Sequence, residues 1–358
     1  RVGLIDLIAK VDSAPLLVDK IIEILSSKEI QEKILSESES ESFPYILGIL
    51  EEVKLIKENS DLVYLKNLFV YLSKVLKDKE ASNQITDIFV YLMSLVSEID
   101  LKLSMELDNI MHHPSFQTLE AAWRGLHSFV FNSETGQSLK IKVLPISKKE
   151  LIDDLEQAIE FDQSSLFKKV YEKEYGTLGG MPYSCLIGDF SFGRNNVDVK
   201  LLRKISSVAS ASHAPFIASA SPELFDLDSF ENLDTLRDLC KIFESSELAN
   251  WNSFRESEDA RYVNLVLPKV LTRLPYDALN NPCEEFDYSE YIDGNDDSLF
   301  CWGNPAYKLG EKITAAYSTY GWTAAIRGVE GGGKVDDLPT YTFKTSNGDM
   351  ELKCPTQI

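Results

Sequence analysis

The sharpest chemical signal in the chain is Gly328-Val-Glu-Gly-Gly-Gly333-Lys334, a run of the form G-x-x-x-x-G-K. That spacing cradles phosphate in nucleotide-binding loops, where the next residue is a Ser or Thr whose hydroxyl holds magnesium. Here the next residue is Val335, and Asp336-Asp-Leu-Pro339 puts acids and a proline where a helix N-terminus should face the anion. Glu330, inside the loop, would repel phosphate. A tightly turned or flexible glycine loop without nucleotide is the expectation. The four histidines, His112, His113, His127 and His213, lack metal-ligand spacing, and adjacent His112 and His113 cannot share a helix face. They read as a helix-end pair. A denser constellation is Arg255-Glu-Ser-Glu-Asp-Ala-Arg261, with Glu256, Glu258 and Asp259 between two arginines. Paired acids can exchange protons. Arginines at both ends point instead to internal salt bridges or to a grip on a neighbour. Trp123, Trp251, Trp302 and Trp322 read as core or interface anchors. No G-x-S-x-G elbow is present, and no cysteine sits in a nucleophile context. The residues offer packing devices and no reactive centre, so no catalytic residue, cofactor or metal is expected.

Composition narrows the partners. The formal net charge of −21 would be repelled by nucleic acid and by anionic membrane, so a partner with a basic face fits better. Cys185, Cys240, Cys283, Cys301 and Cys354 form no C-x-x-C pair and are scattered singly, the pattern of reduced thiols in a cytoplasm. The apolar runs near Phe69 and Phe89 are broken by Lys, Ser or Asp and are too short for a membrane helix. No signal peptide is expected ahead of Arg1. The chain lacks an initiator Met and stops at Ile358 in mid-pattern, which suggests an incomplete copy of a longer protein.

The elements that must position these residues fall into two textures. Residues 1–111 read as an all-helical region. Leu4, Leu7, Ile8 and Val11 mark one helix, and Leu17, Ile21, Ile24 and Leu25 a second. The alternating Ser and Glu of 36–42 form a solvated link. Leu62, Leu65, Phe69, Leu72 and Leu76 repeat at helical spacing, as do Ile85, Phe89, Leu92, Val96, Ile99, Leu103 and Ile110. That last seam must pack against another helix, in this chain or in a neighbour. Pro114 ends it.

Residues 112–358 alternate strands and helices. Leu139–Leu144 alternates like a half-buried strand, and Lys148–Phe161 reads as a helix. Ser184–Phe190, the helix Asp198–Ser212 and Phe216–Ser219 form a β-α-β unit with a right-handed crossover. Tyr262–Leu267 adds a strand and Asn304–Tyr320 a helix. The fold class is therefore α/β with a helical N-terminal region.

Many short blocks, in order, resemble one family. They include Ile110-Met-His-His-Pro114, Leu119-Glu-Ala-Ala-Trp-Arg-Gly-Leu-His127, Phe161 to Tyr171, Glu174 to Gly180 and Leu186-Ile-Gly-Asp189. They continue with Leu201 to Ile205, His213 to Ile217, Phe254 to Tyr262, Leu271 to Tyr276, Trp302 to Tyr307, Arg327 to Gly333 and Cys354-Pro-Thr356. Over residues 100–358 the chain resembles the large subunit of the type VI secretion contractile sheath, the TssC/VipB family. Its Lys, Asn, Ser and Ile usage suits an AT-rich genome, as in the IglB-type branch known from Francisella.

The resemblance implies a phage-tail-sheath-like mixed sheet core and a non-enzymatic role. It implies a small sheath subunit of the TssB/VipA/IglA type as partner, together with further copies of the chain. An inner tube of Hcp-type rings, a baseplate and a sheath-disassembling ATPase are the other partners it implies. It also implies a place in the bacterial cytoplasm within an envelope-anchored apparatus, and a family chain that continues past Cys354-Pro-Thr356. Strands exchanged between neighbours hold such a lattice. On this basis Leu92, Val96, Ile99 and Leu103 are expected to bind the small subunit. Arg255, Glu256, Glu258, Asp259 and Arg261 are expected to form a lattice contact. A non-enzymatic baseplate or adaptor component, or a P-loop-like nucleotide-binding protein, is the alternative.

Overall fold

The computed structural model describes residues 88–235, 238–277, 281–283, 288–345 and 348–357. The helices and the Ser/Glu link expected within 1–87 lie outside the described residues. Contacts divide the chain into two units, with the boundary between Met105 and Glu106.

Helix α1 runs from Ile88 to Met111. The amides of His112 and His113 close its last turn on the carbonyls of Asp108 and Ile110, at 2.9 and 3.1 Å. Pro114 then opens α2 (Pro114–Phe131), at a first helical position where no N–H is needed. His113 caps this helix, its Nδ1 accepting from the Ser115 N–H at 3.3 Å.

The run Leu139–Leu144 forms no strand. Its alternate residues Lys140 and Lys142 reach out to the Met181 sulfur and the Glu174 carboxylate, while Val143 and Leu144 stay exposed. Alternation makes a strand only where a neighbour covers the apolar face. The next helix, α3 (Lys148–Gln157), starts on a reciprocal cap between Ser147 and Glu150 and ends before the expected Phe161.

The second unit centres on a three-stranded parallel sheet in the order β1 (Leu186–Phe192), β2 (Phe216–Ala220), β3 (Val263–Val266). Between β1 and β2 runs α4 (Asn196–Ser212), which confirms the expected β-α-β unit. The Asn195 side chain caps α4 by accepting the Asp198 N–H at 2.7 Å. Val199, Leu202, Ile205 and Val208 form its buried stripe. Helix α5 (Ala249–Arg255) follows, packed on α4.

Alternation along the strands separates two faces. Phe190, Phe192, Phe216, Ala218, Val263 and Leu265 join α4 in one core, with Phe192 and Leu202 fully buried. On the other face lies α6 (Ala306–Tyr320), whose Gly310 would place a Cβ only 2.6 Å from Ile187 Cδ1. Helix α2 stacks on α6 in turn. A Cβ at Gly125 would sit 2.5 Å from the Tyr307 ring, so glycine sets the spacing of the two helices. The rest is two small antiparallel pairs, β4 (Val270–Leu271) with β5 (Trp302–Gly303), and β6 (Tyr341–Lys344) with β7 (Met350–Lys353). Near the end, Thr356 bridges to Val270. Among the described residues no helix is long and apolar enough to cross a membrane.

Candidate functional site

The most densely bonded polar site of the second unit is a buried network between α2 and the segment that follows β4. Arg273 supplies its centre, with its side chain only 6% exposed. Its Nε donates to Glu120 Oε1 at 2.7 Å, and its two terminal nitrogens donate to Glu290 at 2.7 and 3.0 Å. Glu290 also accepts the Tyr276 N–H at 3.0 Å and faces His112 Nε2 at 3.1 Å. From the helix side, Arg124 donates through Nε to Glu120 Oε1 at 2.7 Å and through Nη2 to the Tyr276 hydroxyl at 3.0 Å. Asp108 accepts from the Tyr288 hydroxyl at 2.7 Å.

Two carboxylates thus face two guanidiniums, and the formal charge of the four groups cancels. Burial pushes the Glu120 carboxyl up, but hydrogen bonds and charge from Arg273, then Arg124, outweigh it and hold the carboxyl below its usual range. Burial would likewise favour a neutral Arg273, yet Glu290 and Glu120 hold its proton more firmly than usual. Burial first, and Asp108 second, push the Tyr288 hydroxyl up. Glu120 and Arg273, both held in their charged forms, are poor proton shuttles, although Glu120 Oε2 is buried without a hydrogen-bond partner. Their effect is mechanical: a planar, bidentate arginine ties His112, α2 and the chain on either side of residue 276 into one piece. Nearby Cys301 is pushed up to about 11, chiefly by burial, and makes a weak nucleophile.

The Arg255–Arg261 turn contrasts with this. The expected internal salt bridges do not form, because each charged group finds another support or faces solvent. Arg255 lies over the Phe243 ring at 5.6 Å and Arg261 over the Tyr262 ring at 5.6 Å. Asp259 accepts from the Ser207 hydroxyl at 3.2 Å, while Glu256 and Glu258 are exposed. Among the described residues none of the five is in an ion pair. The turn borders a groove of 430 Å³.

The other sequence signals fall in separate places. On α1, Val96 is half-buried, and Ile99 and Leu103 are 46% and 37% exposed; the Leu92 side chain lies outside the described residues. The glycine run forms a closed turn, with the Gly333 N–H donating to the Gly328 carbonyl at 2.9 Å and Gly332 at φ 82°. A Cβ at Gly332 would meet the Ala325 carbonyl oxygen at 2.3 Å, so the turn requires glycine there. Lys334 pairs with Asp336 at 2.5 Å. Trp251 is buried and Trp302 half-buried, whereas Trp123 and Trp322 are 65% and 68% exposed. Among the described residues no group of three or more His, Cys, Asp or Glu could hold a metal ion.

The profile of the family described as VipB: EvpB/VC_A0108, tail sheath N-terminal domain, matches residues 93–358. The chain belongs to this family. A relative, the type VI secretion system sheath protein TssC1 of Pseudomonas aeruginosa, is 48% identical over 267 residues. That alignment covers 74% of this chain and 54% of TssC1, so the chain spans about half the length of the curated relative it matches. The buried network lies wholly inside the VipB match. Its His112, Glu120, Arg124, Arg273 and Tyr276 stand in three of the blocks that carry the sequence resemblance, whereas Glu290 stands in none. An arginine set between Leu271 and Leu274 was the one available signal, since a cation among apolar neighbours needs buried acids.

Proposed function

We propose that this chain is the structural large subunit of a type VI secretion contractile sheath. In this reading it polymerises with a small sheath subunit into a helical tube around an inner tube, and the tube shortens to drive effector delivery. The observation that carries the reading is the family match over 93–358 together with 48% identity to a named sheath protein. The mixed α/β unit then serves as a phage-tail-sheath-like core. Its charges serve cohesion and docking, and it has no catalytic task.

The partners are a small subunit of the TssB/VipA/IglA type, further copies of the chain, an Hcp-type inner tube, a baseplate and a sheath-disassembling ATPase. Assembly takes place in the bacterial cytoplasm on an envelope-anchored apparatus. Leu92, Val96, Ile99 and Leu103 on α1 bind a helix of the small subunit. Support comes from the exposure of Ile99 and Leu103 along a helical seam, since apolar side chains at that spacing suit a helix groove. Arg255, Glu256, Glu258, Asp259 and Arg261 form a lattice contact, supported by the lack of internal ion pairs. Repeated heterologous contacts of this kind build an open helical polymer.

Electron microscopy of the full chain co-produced with its small subunit tests the reading. Contractile tubes are the expected result. A few copies capping other assemblies would indicate a baseplate component, and turnover of a substrate by the pure protein would overturn the reading. Charging Ile99 and Leu103 together should abolish co-purification with the small subunit, and unaffected pairing would reject that interface.

A further inference from the structure

The groove beside the Arg255–Arg261 turn combines apolar walls with charged rims. Trp251 and Phe254 from α5 wall one side, and Val263 and Leu265 from β3 contribute to the lining. The two strand residues stand on the same face, as their spacing of two requires. Trp251 is only 8% exposed, yet its indole Nε1 has no hydrogen-bond partner. That atom is shut off from solvent, so Trp251 serves the groove as an apolar wall.

The groove also holds two guanidiniums without carboxylate partners. Arg255 and Arg261 both line it, each resting on an aromatic ring with no carboxylate partner. Glu258 is the single acid in the lining, with Glu256 and Asp259 flanking it in the same turn. The whole chain carries 57 acidic and 36 basic residues. Two unpaired guanidiniums on so acidic a protein are complementary to carboxylates on the remainder of the same protein. Ring-supported guanidiniums keep their planar forks of donors, the geometry that grips a carboxylate through two bonds.

We propose that this groove accepts a carboxylate side chain from a second copy of this chain, held between Arg255 and Arg261. The proposal rests on the sheath reading and gives the lattice contact a polarity: one copy offers the recess and the next offers the acid. Such a contact is heterologous and repeats along a polymer without closing.

The test uses the full chain co-produced with its small sheath subunit. In R255Q/R261Q, paired subunits should purify as in the wild type while tubes are lost. A photo-crosslinker at exposed position 256 should capture a second copy of the chain within wild-type tubes. Normal tubes from R255Q/R261Q, or crosslinks to the small subunit or the inner tube alone, would overturn the proposal and leave the sheath reading standing. A wild-type pair that never polymerises would strike the sheath reading itself.

Discussion

The network around Arg273 and the turn from Arg255 to Arg261 use the same residue types to opposite ends. In the first, arginine and glutamate meet across 153 residues of sequence, with Arg273 Nε at 2.7 Å from Glu120 Oε1, out of solvent and balanced in charge. In the second, arginines and acids crowd into seven residues, yet none is in an ion pair. Neighbours along the chain are not partners in space. A short segment cannot easily turn both ends of its charges onto itself, and a ring beside each guanidinium offers a ready seat. Distant segments, brought together by packing, can saturate one another. The buried cluster holds the domain together, while the exposed one leaves its bonding capacity for others.

The contrast can be broken most forcefully at Arg273. R273A would leave Glu290 buried without its guanidinium and Glu120 with Arg124 alone, and a loss of about 3–5 kcal/mol of stability is expected in denaturant unfolding. A loss below about 1 kcal/mol would mean that the network is not the cohesive element. The next test is acid titration. The folded-state value of Glu120 lies below its usual 4.5, so its contribution is present above pH 4.5 and is lost as the pH falls through the folded value. Thermal unfolding should show wild-type stability dropping on acidification, and E120Q should be less stable at pH 7 with a shallower acid limb.

Glu231 sharpens the comparison from the other side. A hydrogen bond with Asp297, then burial and the charge of Asp297, raises its carboxyl to about 7. A raised acid has the reverse sign: its contribution is present below 4.5 and is lost as the pH rises through about 7. E231Q should therefore gain relative to wild type between pH 6 and 8, an increment kept small by solvent screening. The smallest expected effect on folding is at the exposed turn. R255E/R261E should change stability by no more than about 0.5 kcal/mol, while assembly with other subunits, read by electron microscopy, should fail.

Much of the framework was legible before any coordinates. Alternation and helical spacing identified β1, α4 and β2 because their apolar residues are covered by immediate neighbours in the same unit. Pro114 marked the boundary of α1 because its constraint is local. Leu139–Leu144 misled for the opposite reason: its pattern was right for a strand, but nothing covers Val143 or Leu144 and its lysines bond to a loop. The Arg273 network escaped notice because its members are too far apart for any spacing rule. His112 and Glu290 are separated by 178 positions. The turn at 255–261 was visible as a cluster, yet its lack of internal pairing was not.

Gly125 and Gly310 have a bearing on motion. With Tyr307, Ile187 and Phe129 pressed against the sites where side chains would otherwise start, α2 and α6 have almost no clearance to slide. Close-packed interiors of this kind deform little under load. A filament made from such bricks would stretch or shorten at the mortar, so the travel of a whole tube would be set by small rotations between neighbours, multiplied over its length.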